Sequence, residues 1–361
     1  MRDAIKTIKL KTILKQDNFF IISGKNSFHK SKFKEIFKIN VKKNIFLKKN
    51  NYPDVRELKK ILFKVNNDKP KFIIAIGGGS VLDYAKLVSC LYMEKKINYS
   101  KIVKHKFKKK LKVIAIPTTA GSGAEITPNC VLYRNKKKLS IHNKYLKPDF
   151  FYLNHKLLKG LSKIYRSSAA YDALSQAIES LLAKKSNTRS RELSKNSICK
   201  ILKYIRSYLE IGDKKSTTQM LNAANLSGKA IAITETTAPH ALSYGFTVFY
   251  KVPHGHAVVL TLPIILNFNF EKIISNKKKY NHSLYKYNIL FKIFNVRNIS
   301  QLIFKLKSIF SIYKYNFKYR KKFSTQKILY GINQRRLKNN PVDINKQNLN
   351  NILELVKAQY H

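Results

Sequence analysis

FIIAIGGGSVLDYAK, Phe72 to Lys86, decides the architecture of the first half of the chain. Phe72 to Ile76 is a short apolar run rich in isoleucine and reads as a buried strand. Val81 onward reads as a helix, and Gly77, Gly78, Gly79 and Ser80 form the turn between them. Successive glycines let a backbone approach a pyrophosphate, and the amides and dipole at a helix start favour its negative charge. The spacing is not the GxGxxG dinucleotide fingerprint, and the same residues also describe a turn that merely joins strand to helix. Similar runs recur on either side: FFIIS (Phe19–Ser23), NIFLK (Asn44–Lys48), VIAIP (Val113–Pro117) and a short DFFYLN ending at Asn154. DVRELKKILFKV (Asp54–Val65) and VLDYAKLVSCLY (Val81–Tyr92) read as helices between them. This alternation predicts a parallel sheet covered by helices.

Past about residue 155 the strand signals give way to helical periods. Helices are expected near Ser167–Lys184, Ser190–Leu209, Thr217–Ile233, Pro239–Phe249, Ile299–Ile312 and Asn348–Tyr360. The fold class is therefore α/β followed by all-α, with an α/β domain over 1–155 and a helical domain over 156–361. No repeat of solenoid period occurs. The lysine- and asparagine-rich segments Lys277–Asn281 and Lys314–Lys322 read as solvated helix ends or loops.

At 361 residues the chain can bury one or two cores. Its net charge of +53 would ordinarily point to nucleic acid or an anionic membrane. The excess is mostly lysine, however, spread along the chain and accompanied by abundant Asn, Ile, Tyr and Phe and no Trp. Those residues have AT-rich codons, so base composition is a sufficient cause, and no specific nucleic-acid partner is expected. The apolar run around Leu260 is interrupted by Pro263 and reads as too short to span a bilayer. The N-terminus lacks the apolar core of a signal peptide, so the expected location is cytoplasmic, without a membrane partner. Cys90, Cys130 and Cys199 match neither a disulfide framework nor a CxxC metal pattern.

A second loop, VIAIPTTAGSGAEITPN, follows another predicted strand and places Thr118, Thr119 and Ser122 beside Gly121 and Gly123. Hydroxyls and glycines after two strand ends of one sheet can complete a dinucleotide pocket. The second half offers a metal constellation. Asp172 and Gln176 are four apart, on one face of a predicted helix. His240 and His254 come from later elements and would close the site from the opposite side. One carboxylate with two imidazoles suits Fe(II) or Zn(II). A lone histidine is more often a hydrogen-bonded structural residue, but His240, His254 and His256 fall within one short window.

In this order and spacing GGGSxxDxAK, PTTAGSGAE, DALxxAIES and PHGHAV resemble the iron-containing (group III) alcohol dehydrogenases over nearly the entire chain. The resemblance implies an N-terminal Rossmann-like domain, a C-terminal helical domain of dehydroquinate synthase type, and a catalytic cleft between them. It implies hydride transfer between NAD(P)H and a small alcohol or aldehyde held by Fe2+ or Zn2+, in a chain that commonly forms a homodimer. Gly78, Gly79, Ser80 and Asp83 take the positions that hold the pyrophosphate and its loop. Thr118, Thr119 and Ser122 take phosphate and nicotinamide-side positions, and Asn129 and Lys138 fall at further cofactor contacts. Asp172, Gln176, His240 and His254 fall on the four ligand positions.

The departures are Gln176, where most of the family has His, and Tyr244, where many members have a histidine near the nicotinamide. A branch resembling phosphonoacetaldehyde reductases shares DALxQAIES, TTAPHALSY, PHGHAV and NxxRLxNNPV, the last matched here from Asn333. An amide carbonyl is a weaker, neutral donor, so this pattern reads as a working site that holds its ion less tightly. The expected reaction is reduction of phosphonoacetaldehyde to 2-hydroxyethylphosphonate, with Arg336 receiving the phosphonate and His256 or Tyr244 relaying a proton. A generic short-chain alcohol dehydrogenase of the same family is the alternative, and a basic nucleic-acid-binding protein the alternative of a different class.

Overall fold

β-branched and aromatic residues in short runs form five parallel strands whose hydrogen bonds set the order β2-β1-β3-β4-β7. The structure is a computed structural model and describes residues 4–5, 7–15, 18–31, 33–37, 45–49, 52–135, 137–315, 323–330 and 332–359. The strands are β1 (Phe19–Gly24), β2 (Ile45–Lys48), β3 (Phe72–Gly77), β4 (Lys112–Pro117), β5 (Asn129–Arg134), β6 (Lys137–His142) and β7 (Phe150–Phe151). The expected start of β2 at Asn44 and the segment 316–322 lie outside the described residues. Helices α1 (Thr7–Lys15), α2 (Lys25–Lys30), α3 (Phe33–Phe37), α4 (Val55–Asp68) and α5 (Gly79–Leu91) belong to the same unit, Met1–Leu161.

Alternate residues of the central strands face opposite sides, and both sides are buried, as a parallel sheet requires. Phe20, Ile22, Ile73, Ala75, Val113 and Ala115 pack with Leu58, Ile61, Leu62 and Val65 of α4 and with the apolar residues of α5. Ile21, Ile74, Ile76, Ile114 and Ile116 are buried on the other face. In register, Ile21 pairs with Ile74 and Ile74 with Ile114, while Gly77 pairs with Pro117, so β3 and β4 end level with each other. The chain steps from β1 outward to β2 and then back across β1 to β3. Strand order therefore reverses between β1 and β3, and the crevice beyond their carboxyl ends is where open α/β sheets take ligands. β5 and β6 form a separate antiparallel hairpin that the sequence does not announce.

The second unit, Ser162–His361, is helical among its described residues. It comprises α6 (Lys163–Leu182), α7 (Thr188–Glu210), α8 (Lys214–Thr234), α9 (Ala238–Tyr250), α10 (His254–Val259), α11 (Leu262–Ser275), α12 (Lys277–Phe294), α13 (Ile299–Ser311), α14 (Thr325–Leu329), α15 (Gln334–Lys338) and α16 (Lys346–Ala358). Side-chain caps open several of them: Asn187 and Ser190 form a reciprocal capping box on α7, and Asp213 accepts from Ser216 on α8. Every residue of α6 from Ala170 to Leu182 is buried, against α7, α8 and α10 among others. Polar residues on such a helix need partners inside the protein, and α6 carries Asp172, Gln176 and Glu179.

Lys277–Asn281 is an exposed helix start, as expected, and opens α12 with a kink at Tyr280. One expectation changes. The run around Leu260 is not cut by Pro263, because proline is tolerated in the first turn of α11. As a result His254–Ser275 is a 22-residue helical stretch long and apolar enough by length and composition to cross a membrane. Of its most apolar window, 61% is buried inside the protein.

Lys286 of α12 is almost fully buried, and its ammonium donates to the carbonyl of Ala183 at 2.7 Å, at the C-terminal end of α6. Burial, reinforced by Arg191, pulls its pKa from the ordinary 10.5 down to about 8. Below that pH both folded and unfolded chains carry the proton, and folding bears the desolvation. Between about 8 and 10.5 the unfolded chain holds a proton that the folded chain has released, so this residue adds stability as pH rises. At about 1.4 kcal/mol per pH unit the change amounts to about 3 kcal/mol. Denaturant unfolding of the wild type and Lys286→Met across that range is expected to show the difference moving toward the wild type by about that amount. A pH-independent difference would contradict the burial argument.

Candidate functional site

In the helical unit, α6 presents Asp172 and, one turn later, Gln176, both buried. α9 supplies His240 and α10 begins with His254. The ligating atoms of Asp172, His240 and His254 all lie within 4.8 Å of one another. His240 Nε2 is 3.0 Å from Asp172 Oδ1, His254 Nε2 is 3.9 Å from the same oxygen, and Gln176 Nε2 donates to it at 2.9 Å. One carboxylate and two imidazoles this close fit a divalent transition ion by donor type and by reach.

The expected set omits Glu179, which the structure places directly behind His240. Glu179 Oε1 meets His240 Nδ1, while Oε2 accepts from the Thr237 amide at 2.7 Å and the Thr237 hydroxyl at 2.9 Å. A carboxylate on the outer nitrogen of a ligating histidine settles its tautomer and ring orientation and raises its basicity. Burial alone would lower the pKa of His240, but Glu179 and Asp172 outweigh it and hold the imidazole above its ordinary value. Burial would raise that of Asp172, and the hydrogen bond from His240 with the charges of His254 and His240 outweighs it downward. The proton on His240 Nε2 thus sits where an ion would replace it. The spacing 172, 176, 179 puts all three polar side chains on one helix face, a signal that could have revealed Glu179 from sequence.

Close approach of backbones builds this geometry. A Cβ added to Gly255 would lie 1.8 Å from the Ser168 carbonyl oxygen and 2.9 Å from the Asp172 nitrogen. The Gly255 amide instead donates to Ser168 Oγ at 3.0 Å, docking the first turn of α10 on α6 and carrying His254 with it.

Around the centre, Tyr244 lies nearly parallel to His254, with centroids 6.2 Å apart, and the Arg336 guanidinium stands 5.3 Å from the Tyr244 ring. Arg336 Nη1 also donates to Thr236 Oγ1. His254, Tyr244 and Arg336 thus form a continuous series at the edge of the donor cluster. His256 is placed differently from the expected proton relay. Its ring is buried edge-on to Tyr171, Nε2 lies 3.0 Å from Ser167 Oγ, and burial lowers its pKa to about 4. At neutral pH it is a packed, neutral imidazole.

In the α/β unit the two loops meet. Gly78 is the N-cap of α5, and the Thr118 amide donates to the Gly77 carbonyl at 3.1 Å. A Cβ on Gly79 would lie 2.9 Å from Ser122 Oγ, and one on Gly78 would lie 3.5 Å from Thr119. Gly78, Gly79, Ser80, Thr119 and Ser122 remain partly accessible beyond the carboxyl ends of β3 and β4, whereas Thr118 is buried. Asp83 faces inward: its Oδ2 accepts from the Val131 amide at 3.0 Å, and Lys86 Nζ lies 3.6 Å from Oδ1. Lys86, fully buried, also donates to the carbonyl of Asn129 at 2.7 Å. Asp83 therefore ties α5, and with it the end of the glycine-rich turn, to the β5–β6 hairpin. Asn129 shares its side-chain oxygen with His142 Nδ1, and Lys138 pairs across the hairpin with Tyr133.

Comparison with known proteins adds to this geometry. The family model described as iron-containing alcohol dehydrogenase matches residues 3–155, and that described as Fe-containing alcohol dehydrogenase family, C-terminal, matches residues 167–357. Phosphonoacetaldehyde reductase of Streptomyces viridochromogenes is 30% identical over 207 residues, 54% of this chain and 52% of that protein. Aldehyde-alcohol dehydrogenase 2 of Entamoeba histolytica is 28% identical over 235 residues, 61% of this chain and 27% of that protein. These matches span from about a quarter to about half of the curated relatives' length. The structure of an iron-containing alcohol dehydrogenase from Thermotoga maritima is similar at TM-score 0.79 and 26% identity, covering 97% of this chain and 95% of that one. A sulfoacetaldehyde reductase from Bifidobacterium kashiwanohense, solved with NAD+, shares the fold at TM-score 0.82 and 20% identity, covering 97% and 94%. With one model matching each half and the metal donors clustered on the second, the chain belongs to the iron-containing alcohol dehydrogenase family.

Proposed function

We propose that the protein reduces a small aldehyde bearing an anionic group, phosphonoacetaldehyde first among candidates, to the alcohol, using NADH or NADPH and a divalent ion, iron before zinc. The observation that carries the substrate class is the Arg336–Tyr244–His254 series beside the metal ligands. The 30% identity to a phosphonoacetaldehyde reductase over about half the chain supports the same reading. When bound, the two cofactors supply Lewis-acid polarisation of a carbonyl and a hydride.

The chain's own residues do the rest. Asp172, Gln176, His240 and His254 hold the ion, and Glu179 orients His240. Arg336 offers a planar fork that matches a phosphonate and, by holding the anionic end, sets the reach of the carbonyl. The glycine-rich turn before α5 and the Thr118–Ser122 loop hold the nucleotide phosphates at a helix start. Tyr244, beside His254, is the better placed of the two expected relays to pass a proton from solvent to the product oxygen. A cytoplasmic enzyme acting as a homodimer completes the proposal.

Reduced-nicotinamide loss with phosphonoacetaldehyde against propionaldehyde, on protein loaded with iron or zinc, tests it. A chelator-sensitive preference for the phosphonate is expected. Arg336→Ala should then raise the KM for the phosphonate about 10- to 100-fold, since hydrogen bonds to charged groups are worth roughly 1.5–3 kcal/mol, with a smaller change for propionaldehyde. Equal rates on both aldehydes would remove the phosphonate and leave a generic alcohol dehydrogenase. Nicotinamide-free, salt-dependent binding to DNA with no turnover would favour the nucleic-acid reading.

A further inference from the structure

Ser227, fully buried on α8, lies outside every motif quoted above, and its hydroxyl faces the amide of Gln176. Ser227 Oγ is 3.0 Å from the Ala173 carbonyl oxygen and 3.2 Å from Gln176 Oε1. A hydroxyl has one proton to donate and lone pairs with which to accept. If it donates to the nearer oxygen, that of Ala173, it turns a lone pair toward Gln176, and the end of the amide that suits a lone pair is Nε2. The opposite end of the same amide plane faces Asp172 Oδ1 at 2.9 Å, where Nε2 now donates. Gln176 therefore has two orientations open to it. In one, Nε2 serves Asp172 and Ser227 must share its proton between two carbonyl oxygens. In the other, Ser227 accepts from Nε2 while keeping its bond to Ala173, and Oε1 turns toward Asp172. Two acceptor oxygens facing each other are stable only with a cation between or beside them.

We propose that Ser227 is the positioning residue that makes a glutamine competent at this ligand position: it accepts from Gln176 Nε2 and so commits Oε1 to the ion. An amide can present either end, whereas a carboxylate presents oxygen both ways, so a neutral amide ligand needs such a partner. The assignment rests on the reading of Gln176 as the fourth ligand.

Cobalt(II) is the probe, because its visible d–d absorption reports ligand type and geometry without turnover. The full chain, Ser227→Ala, Gln176→Ala and the double variant are titrated with Co2+, with dissociation constants from chelator competition and thermal melting of the metal-free proteins as the fold control. Ser227→Ala is expected to weaken Co2+ binding about tenfold, the usual scale for a partner behind a ligand. It should shift the d–d bands in the same direction as Gln176→Ala and add no further loss in the Gln176→Ala background. Unchanged affinity and bands in Ser227→Ala would overturn the proposal, as would an equal loss in both backgrounds, which marks a packing effect. A wild type that takes up no Co2+, or a Gln176→Ala spectrum identical to wild type, overturns the ligand reading itself and the proposal with it.

Discussion

Gly255→Ala is expected to lose 1:1 metal binding altogether and to leave the helical unit severely destabilised. The added methyl would sit 1.8 Å from the Ser168 carbonyl oxygen, a backbone atom that cannot turn aside as a side-chain end can. Relief requires α10 to move off α6, which breaks the Gly255–Ser168 hydrogen bond and withdraws His254 from Asp172. Ordinary overpacking costs about 1–3 kcal/mol, and a backbone collision belongs to the exceptional class above about 4 kcal/mol. Set against total stabilities of about 5–15 kcal/mol, that is enough to unfold a marginal domain. Near-UV circular dichroism and cobalt titration measure both effects. A Gly255→Ala protein with wild-type melting and stoichiometric metal would show that the α6–α10 contact is not as close as described.

Asp172→Asn is expected to lower turnover about a thousandfold while the protein remains folded, because several kcal/mol of transition-state stabilisation depend on the ion. Asparagine keeps the shape but turns a shared anionic acceptor into a neutral group with one acceptor end. Asp172 Oδ1 serves Gln176 and His240 at once and adjoins His254, so the three other candidate ligands all lose their common centre of charge. Glu179→Gln provides a graded comparison: it leaves all four ligands and should weaken metal affinity only about 10- to 100-fold. Metal content after dialysis, set beside kcat for each variant, separates the two. Equal losses from the two variants would mean that Glu179 does more than orient His240.

Much of this was legible in the sequence because it is written in neighbouring residues. The strand of Phe72–Gly77 and the helix after it are local patterns, and the parallel sheet follows from their repetition. Asp172 and Gln176 share a helix face by spacing alone. His240 and His254 stand out as candidate donors by residue type and their short window, but 68 residues separate Asp172 from His240 and no local rule joins them, so the grouping leans on the resemblance. The β5–β6 hairpin escapes a sequence reading because NCVLYR and KKLSIH show neither a clean apolar run nor a clear alternation. Asp83 sits at a motif position with Lys86 one turn on, yet its inward turn depends also on the Val131 amide, a partner that only folding supplies. His256 reads as a relay beside His254, but residues two apart on a helix point to nearly opposite sides. Ser227 carried no signal because its role depends on a hydroxyl meeting one amide across two helices.

The candidate ligands are unequally exposed: the side chains of Asp172 and His240 are 7% and 3% accessible, and that of His254 is 35%. An ion would therefore enter and leave past His254, on the rim of the site, without the core opening. Loading can follow folding, and a chelator can strip the ion from a chain that stays intact. The residence time of the ion then depends largely on one imidazole at the start of a short helix. Divalent metals compete for such a site by their relative affinities and local supply, so the ion recovered with the protein would report the growth medium as much as the fold.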